Sequence, residues 1–191
     1  PHDNSQVRRD TLVDFFRDLV EIKGDFLVYD DGYRRRVHGY ADVGRAARGF
    51  AARLGESGIG KGDTVVFWGE NRPEWVVCYW GCLLTGAIVV PIDYRSSLDF
   101  VLKVRQLVSA RVIRVGDDVP GNDAGLNFLP EENSTRRHFV WRFRDLDWHA
   151  EGPMPAVPIS RDDVTQVIFT SGATAEPKGV VIRHRNVLAN I

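Results

Sequence analysis

Three short apolar runs, 64–68 (TVVFW), 87–92 (AIVVPI) and 111–115 (RVIRV), are rich in β-branched residues, and each is separated from the next by a segment of helical periodicity. Strands covered on both faces read as near-continuous hydrophobic runs, and parallel strands need a crossover of a dozen or more residues between them, usually a helix. Between the first two runs, Pro73 suits the first helical position and Glu74 complements the positive end of a helix dipole. From there Trp75, Val76, Tyr79, Trp80 and Leu83 make the segment apolar on nearly all sides. This predicts a helix over 73–85 buried between layers. Between the second and third runs, Ser97 is a candidate cap for a helix through Val101, Val104, Leu107 and Val108. Strand, helix, strand, helix, strand at this spacing predicts an α/β fold with a doubly wound, mostly parallel sheet, flanking helices and right-handed crossovers.

The flanking segments are plainer. Leu12, Phe15, Phe16 and Leu19 fall at helical spacing in 11–22, with Asp10 as a candidate cap. The runs 26–29 and 33–38 flank Asp30-Asp31-Gly32 and predict a β-hairpin, with Arg34-Arg35-Arg36 as a solvated face. A helix with arginines on its outer face is expected over 40–57. Residues 117–136 read as surface loops, 138–143 as a strand, and 152–158, with three prolines, as a stiff connector.

Charge narrows the partners. A formal net charge of −1 over 191 residues offers no overall attraction to nucleic acid or anionic lipid, so an anion site has to be local and the partner is expected to be a small molecule. Cys78 and Cys82, the only cysteines, lie four apart in an apolar helical run, poorly placed for a disulfide and too few for a structural zinc site; both read as small buried hydrophobes. Residues 75–92 carry no charge over a length that could span a bilayer, but Gly81, Gly86 and Pro91 divide them into a helix and a strand. Peripheral membrane contact stays open. With no apolar leader at the start, a cytoplasmic setting is expected.

The chemistry concentrates in residues 164–186, VTQVIFTSGATAEPKGVVIRHRN. An apolar strand-like run leads into Thr170-Ser171-Gly172-Ala173-Thr174, and Lys178 follows behind Pro177. Glycine lets backbone N–H groups approach an anion, hydroxyls add donors, and an ammonium supplies a compact positive charge: together, a phosphate cradle. It is not the common NTPase loop G-x-x-x-x-G-K-[ST], because here the lysine sits between proline and glycine.

The residues FTSGATAEPKGV, followed by His184-Arg185-Asn186, resemble the phosphate-binding signature of the AMP-forming adenylating enzymes: acyl-CoA synthetases, luciferases and peptide-synthetase adenylation domains. Two positions depart from that pattern. Ala173 stands where a hydroxylated residue is usual and Ala175 where glycine is, so one donor is lost and the loop is stiffer. The order of helix, hairpin, GIGKGDTVVFWGENRPEW, GCLLTGAIVVPID and phosphate loop also looks like the amino-terminal part of an acyl-CoA synthetase, nearer to long-chain members than to peptide-synthetase domains.

The resemblance implies an ATP-dependent acid–thiol ligase of fatty acid metabolism. A carboxylic acid, expected to be a fatty acid, attacks the α-phosphate of ATP, pyrophosphate leaves, and CoA takes the acyl group from the adenylate. It further implies that Thr170, Ser171, Gly172, Thr174 and Gly179 hold phosphate, that Lys178 neutralises it, and that His184 lies near the acyl carboxylate and α-phosphate. Mg²⁺ would bridge the phosphates, held mainly by residues beyond Ile191. Residues 1–191 are accordingly read as the amino-terminal portion of an AMP-binding domain without its carboxy-terminal lid, inactive alone. Two alternatives stay open: an aryl- or amino-acid adenylating enzyme, and a non-catalytic nucleotide-binding or interaction module, to which the two alanines lend weight.

Overall fold

A computed structural model describes residues 9–119, 138–170 and 176–190. Helix α1 (Leu12–Leu19) is followed by the hairpin strands β1 (Asp25–Asp30) and β2 (Arg35–Gly39) and by helix α2 (Tyr40–Glu56). The alternating core then runs β3 (Thr64–Trp68), α3 (Pro73–Thr85), β4 (Ile88–Ile92), α4 (Leu98–Leu107) and β5 (Val112–Val115). Strand β6 (Phe139–Arg142) and a single 3₁₀ turn (Phe143–Asp145) precede the hairpin β7 (Val164–Thr170) and β8 (Lys178–Arg183), after which α5 (His184–Leu188) begins.

Each boundary has a local cause. Thr11 caps α1, its hydroxyl accepting from Asp14 N–H while Asp14 reaches back to the Thr11 N–H at 3.0 Å. Ser97 caps α4 by accepting from Phe100 N–H. Helix α3 starts on Pro73 and stops at Gly86, whose φ of 73° lies in the left-handed region that side chains avoid. In the first hairpin the Asp30 and Asp31 carboxylates accept from Gly32, Tyr33 and Arg34 N–H groups and fold the turn.

Strands β3 to β8 form one six-stranded sheet in the order β6-β5-β3-β4-β7-β8, and β1 and β2 form a separate antiparallel pair. All neighbours in the large sheet are parallel except β7 and β8. The chain passes from β3 to its neighbour β4, then returns to the other side of β3 as β5. With right-handed crossovers that reversal sends successive helices to opposite faces. Val65, Phe67, Val89 and Val112 pack with α1, α2 and α3 on one face, while Val66, Trp68, Val90, Ile113 and Val115 pack with Val101 and Val104 of α4 on the other.

The expected doubly wound sheet is therefore observed, and helix 73–85 has the expected bounds. Cys78 and Cys82 are free and buried, and burial pushes the Cys78 thiol up to about 11, as suits an inert apolar filler. Among the described residues no helix is long and apolar enough to cross a membrane. The arginine run behaves differently from expectation at one position. Arg36 turns inward, stacks over Tyr29 at 5.5 Å and pairs with Glu74 and Asp31, because the buried Glu74 carboxylate needs a cation. Of the surface loops expected over 117–136, residues 120–136 lie outside the described residues.

Candidate functional site

The carboxyl ends of β3, β4, β5, β6 and β7 share one edge of the sheet, since all five strands run parallel. The strand order reverses between β3 and β4, and in open α/β sheets the crevice outside the carboxyl ends at such a switch point is where ligands bind. A crevice of about 400 Å³ lies there. Gly69, Glu70 and Asn71 line it from the end of β3, Pro91 to Tyr94 from the end of β4, and Ile168 and Phe169 from β7, with Trp75 of α3 closing one wall.

The ladder beside it is short. Strands β4 and β7 share a single ladder position, Val89 with Gln166. Pro91, two residues beyond Val89, has no N–H to donate to a ladder. On the other side of the switch point the strands are drawn tightly together. Gly116 N–H donates to Trp68 C=O at 2.8 Å, and a Cβ on Gly69 would stand 2.8 Å from the Gly116 backbone.

Charged groups around this edge are paired with one another. Glu70 accepts from the N–H groups of Asp117 and Asp118, tying the turn after β3 to the turn after β5. Arg72 bridges Glu70 at 3.1 Å, Asp117, and Glu74 at 3.6 Å. Burial alone would lower the Arg72 pKa, but these carboxylates outweigh it and raise it, so the guanidinium stays charged. Asp93, at the mouth, is held down to about 2 by its bidentate contact with Arg95.

The hairpin carries Thr170 and Lys178, the two ends of the sequence's phosphate cradle, to this same edge. Strand β7 ends at Thr170 in register with Lys178, so both stand at the carboxyl end of the sheet beside the crevice. Ser171, Gly172 and Thr174, expected as phosphate ligands, and the unusual Ala173 and Ala175 lie outside the described residues. Lys178 is exposed at the start of β8. Gly179 pairs with Phe169, and a Cβ there would come within 3.1 Å of the Phe169 ring, so the glycine lets an aromatic residue lie flat across the strand.

His184 is not brought together with Lys178. Strand β8 is six residues long and antiparallel to β7, and six extended residues advance about 20 Å. The histidine therefore stands at the amino edge of the sheet. It is 1% exposed, its Nδ1 accepts from Leu12 N–H at 3.0 Å, and its own N–H donates to Asp163 C=O at 3.1 Å. Burial lowers its pKa from the ordinary value, with Asp163 and Asp14 opposing and Lys61 assisting. The apolar run Val180-Val181-Ile182 was the available signal for this strand, and the sequence reading assigned 178–183 to no element. It also missed Glu70, Asn71, Asp93 and Tyr94 as crevice walls, since nothing local marks them.

The residues described fit a polyphosphate partly. A hairpin closing at Thr170 and Lys178 beside a switch-point crevice suits an anion next to an organic group, whereas no group of three or more potential metal ligands occurs among the described residues.

Known proteins share this arrangement. Residues 17–191 match the family described as AMP-binding enzyme. The chain is 32% identical over 190 residues to a crotonobetaine/carnitine–CoA ligase of Salmonella paratyphi A, covering 89% of this chain and 36% of that protein. It is 29% identical over 185 residues to the nonribosomal peptide synthetase echPS of Aspergillus ruber, covering 95% of this chain and 8% of that protein. The fold superposes on a fatty acid AMP ligase from Legionella pneumophila with a TM-score of 0.78 at 20% identity, over 100% of this chain and 33% of that one. The chain thus spans about a third of the length of the CoA ligase that it matches. With the doubly wound sheet and these likenesses together, the chain belongs to the AMP-binding, adenylate-forming enzyme family, whose relatives here are CoA ligases and adenylation domains.

Proposed function

We propose that the whole protein activates a carboxylic acid with ATP, releases pyrophosphate, and passes the acyl group from the adenylate to CoA. The observation that carries this reading is the β7–β8 hairpin, which sets Thr170 and Lys178 at the switch-point edge beside an open crevice. Thr170, Ser171, Gly172 and Thr174 act as N–H and O–H donors to the β- and γ-phosphates. Lys178 offsets the charge that grows on pyrophosphate as it leaves; donors fixed in advance where charge develops are the largest lever such a site has. The acid's organic part enters the crevice, and Mg²⁺ is held mainly by residues that this chain does not contain. The acid is a fatty acid in the reading nearest to the long-chain pattern of the sequence. The setting is cytoplasmic.

A second reading, an amino- or aryl-acid adenylating enzyme, is favoured by the peptide-synthetase relative. Carboxylate-dependent ATP–pyrophosphate exchange by the full-length protein separates the two. The panel runs from short to long fatty acids and includes betaine-type, aryl and amino acids. Exchange greatest with fatty acids, followed by thioester formation with CoA, is expected. Exchange confined to amino or aryl acids selects the second reading, and nucleotide binding with no exchange for any acid replaces both with a non-catalytic module.

A further inference from the structure

The amino edge of the sheet holds a polar arrangement that phosphate chemistry does not use. At the base of the β7–β8 hairpin, His184 N–H donates to Asp163 C=O and Arg185 N–H to Arg161 C=O at 2.9 Å. The Arg183 N–H donates to Asn186 Oδ1 at 2.9 Å. Asp163 accepts from Ser160 N–H at 2.7 Å and pairs with Lys61, which also donates to Pro158 C=O. The hairpin is thus fixed at its base to the segment before β7 and to the loop before β3. One contact reaches further. Leu12 is the first residue of α1, so its N–H has no partner inside the helix, and Thr11 Oγ1 is already engaged by Asp14 N–H. The His184 Nδ1 accepts it in a site closed to water.

We infer that His184 is a positioning residue, its imidazole clasping the base of the phosphate-loop hairpin onto helix α1 and so holding the strand that begins with Lys178. The leverage comes from the place of β8 in the sheet. It is the edge strand, paired only with β7 among the described strands, and Val180 and Val181 are 56% and 51% exposed. Its direction is therefore set by one neighbour and by its base. Helix α1 is a firm anchor, with Leu12, Val13 and Phe16 buried and Phe16 packed on Trp80 of α3 at 5.4 Å. An acceptor at Nδ1 requires the neutral ring with its proton on Nε2. The charged groups facing the ring, Asp163, Asp14 and Lys61, are of mixed sign, and burial favours the neutral form.

The inference deepens the adenylation reading, and its two measurements separate failure of one from failure of the other. His184→Asn keeps an acceptor at the place of Nδ1; His184→Leu removes it. In the full-length protein, hydrogen exchange at the Leu12 amide should stay slow in wild type and in His184→Asn and become fast in His184→Leu, whatever reaction the protein performs. Equal protection in all three, or loss of protection in His184→Asn, overturns the clasp. Pyrophosphate exchange with the best acid should stay within about tenfold of wild type in His184→Asn, with an unshifted pH profile. In His184→Leu the KM for ATP should rise by more than kcat falls. A loss of roughly 10²–10⁴-fold in His184→Asn with Leu12 still protected would make the imidazole a group acting on the reactants instead.

Discussion

The two edges of the parallel sheet are built on opposite plans. At the carboxyl edge charges pair with one another around Glu70 and Arg72, and a crevice of about 400 Å³ is left. At the amino edge every polar group named above is spent on another part of the chain, and His184 and Thr165 are buried with partners. A site that must admit a ligand keeps volume and exposed donors. An edge that must hold a strand still satisfies its donors internally, because a buried orphan costs about 1–3 kcal/mol. The hairpin β7–β8 spans both plans, open at one end and fastened at the other.

The contrast can be broken most sharply at the open end. Lys178→Ala in the full-length protein should lower pyrophosphate exchange by roughly 10²–10³-fold and leave the urea midpoint unchanged, since the side chain is exposed. Exchange at the wild-type rate would remove the phosphate role. Next is the joint between the two turns. A Cβ on Gly116 would run into the Glu70 carboxylate and come within 2.7 Å of Gly69 Cα, so Gly116→Ala should cost about 1–3 kcal/mol in urea unfolding. An unaltered midpoint would mean that this edge yields more readily than its packing suggests.

Acid tests the fastened end. The folded pKa of His184 is depressed, so the unfolded chain binds its proton more readily, and the clasp's contribution is complete above the ordinary histidine value and lost as the pH falls through the folded one. The urea midpoint should drop between about pH 7.5 and 5.5, and less steeply in His184→Asn. Identical slopes would assign the acid sensitivity elsewhere, for instance to His38, whose pKa burial also lowers. The smallest effect is expected of Ala175→Gly, which restores the usual loop residue. Turnover should be equal or higher if release of pyrophosphate limits it; a clear fall would show the stiffer loop to be adapted to this protein.

The fold was legible where a pattern is local. The strands 64–68 and 88–92 and the helix 73–85 follow from β-branched runs, Pro73 and Gly86. What sequence could not supply was distance. Lys178 and His184 are near in the chain, and only the six-residue strand between them, read at about 3.4 Å per residue, puts them at opposite edges. The crevice walls were hidden for a related reason: Asn71 and Tyr94 follow β3 and β4, Phe169 lies near the end of β7, and they meet only because β3, β4 and β7 are neighbours in the sheet.

The bond between Leu12 and His184 also has a meaning in time. It closes a loop of 172 residues, so during synthesis the first helix emerges long before its acceptor exists. At about 5–20 residues per second the ribosome needs on the order of ten to thirty seconds to supply it. Over that interval α1 has its own capping box but no clasp, and it becomes locked in place only as the histidine that closes the phosphate-loop hairpin arrives.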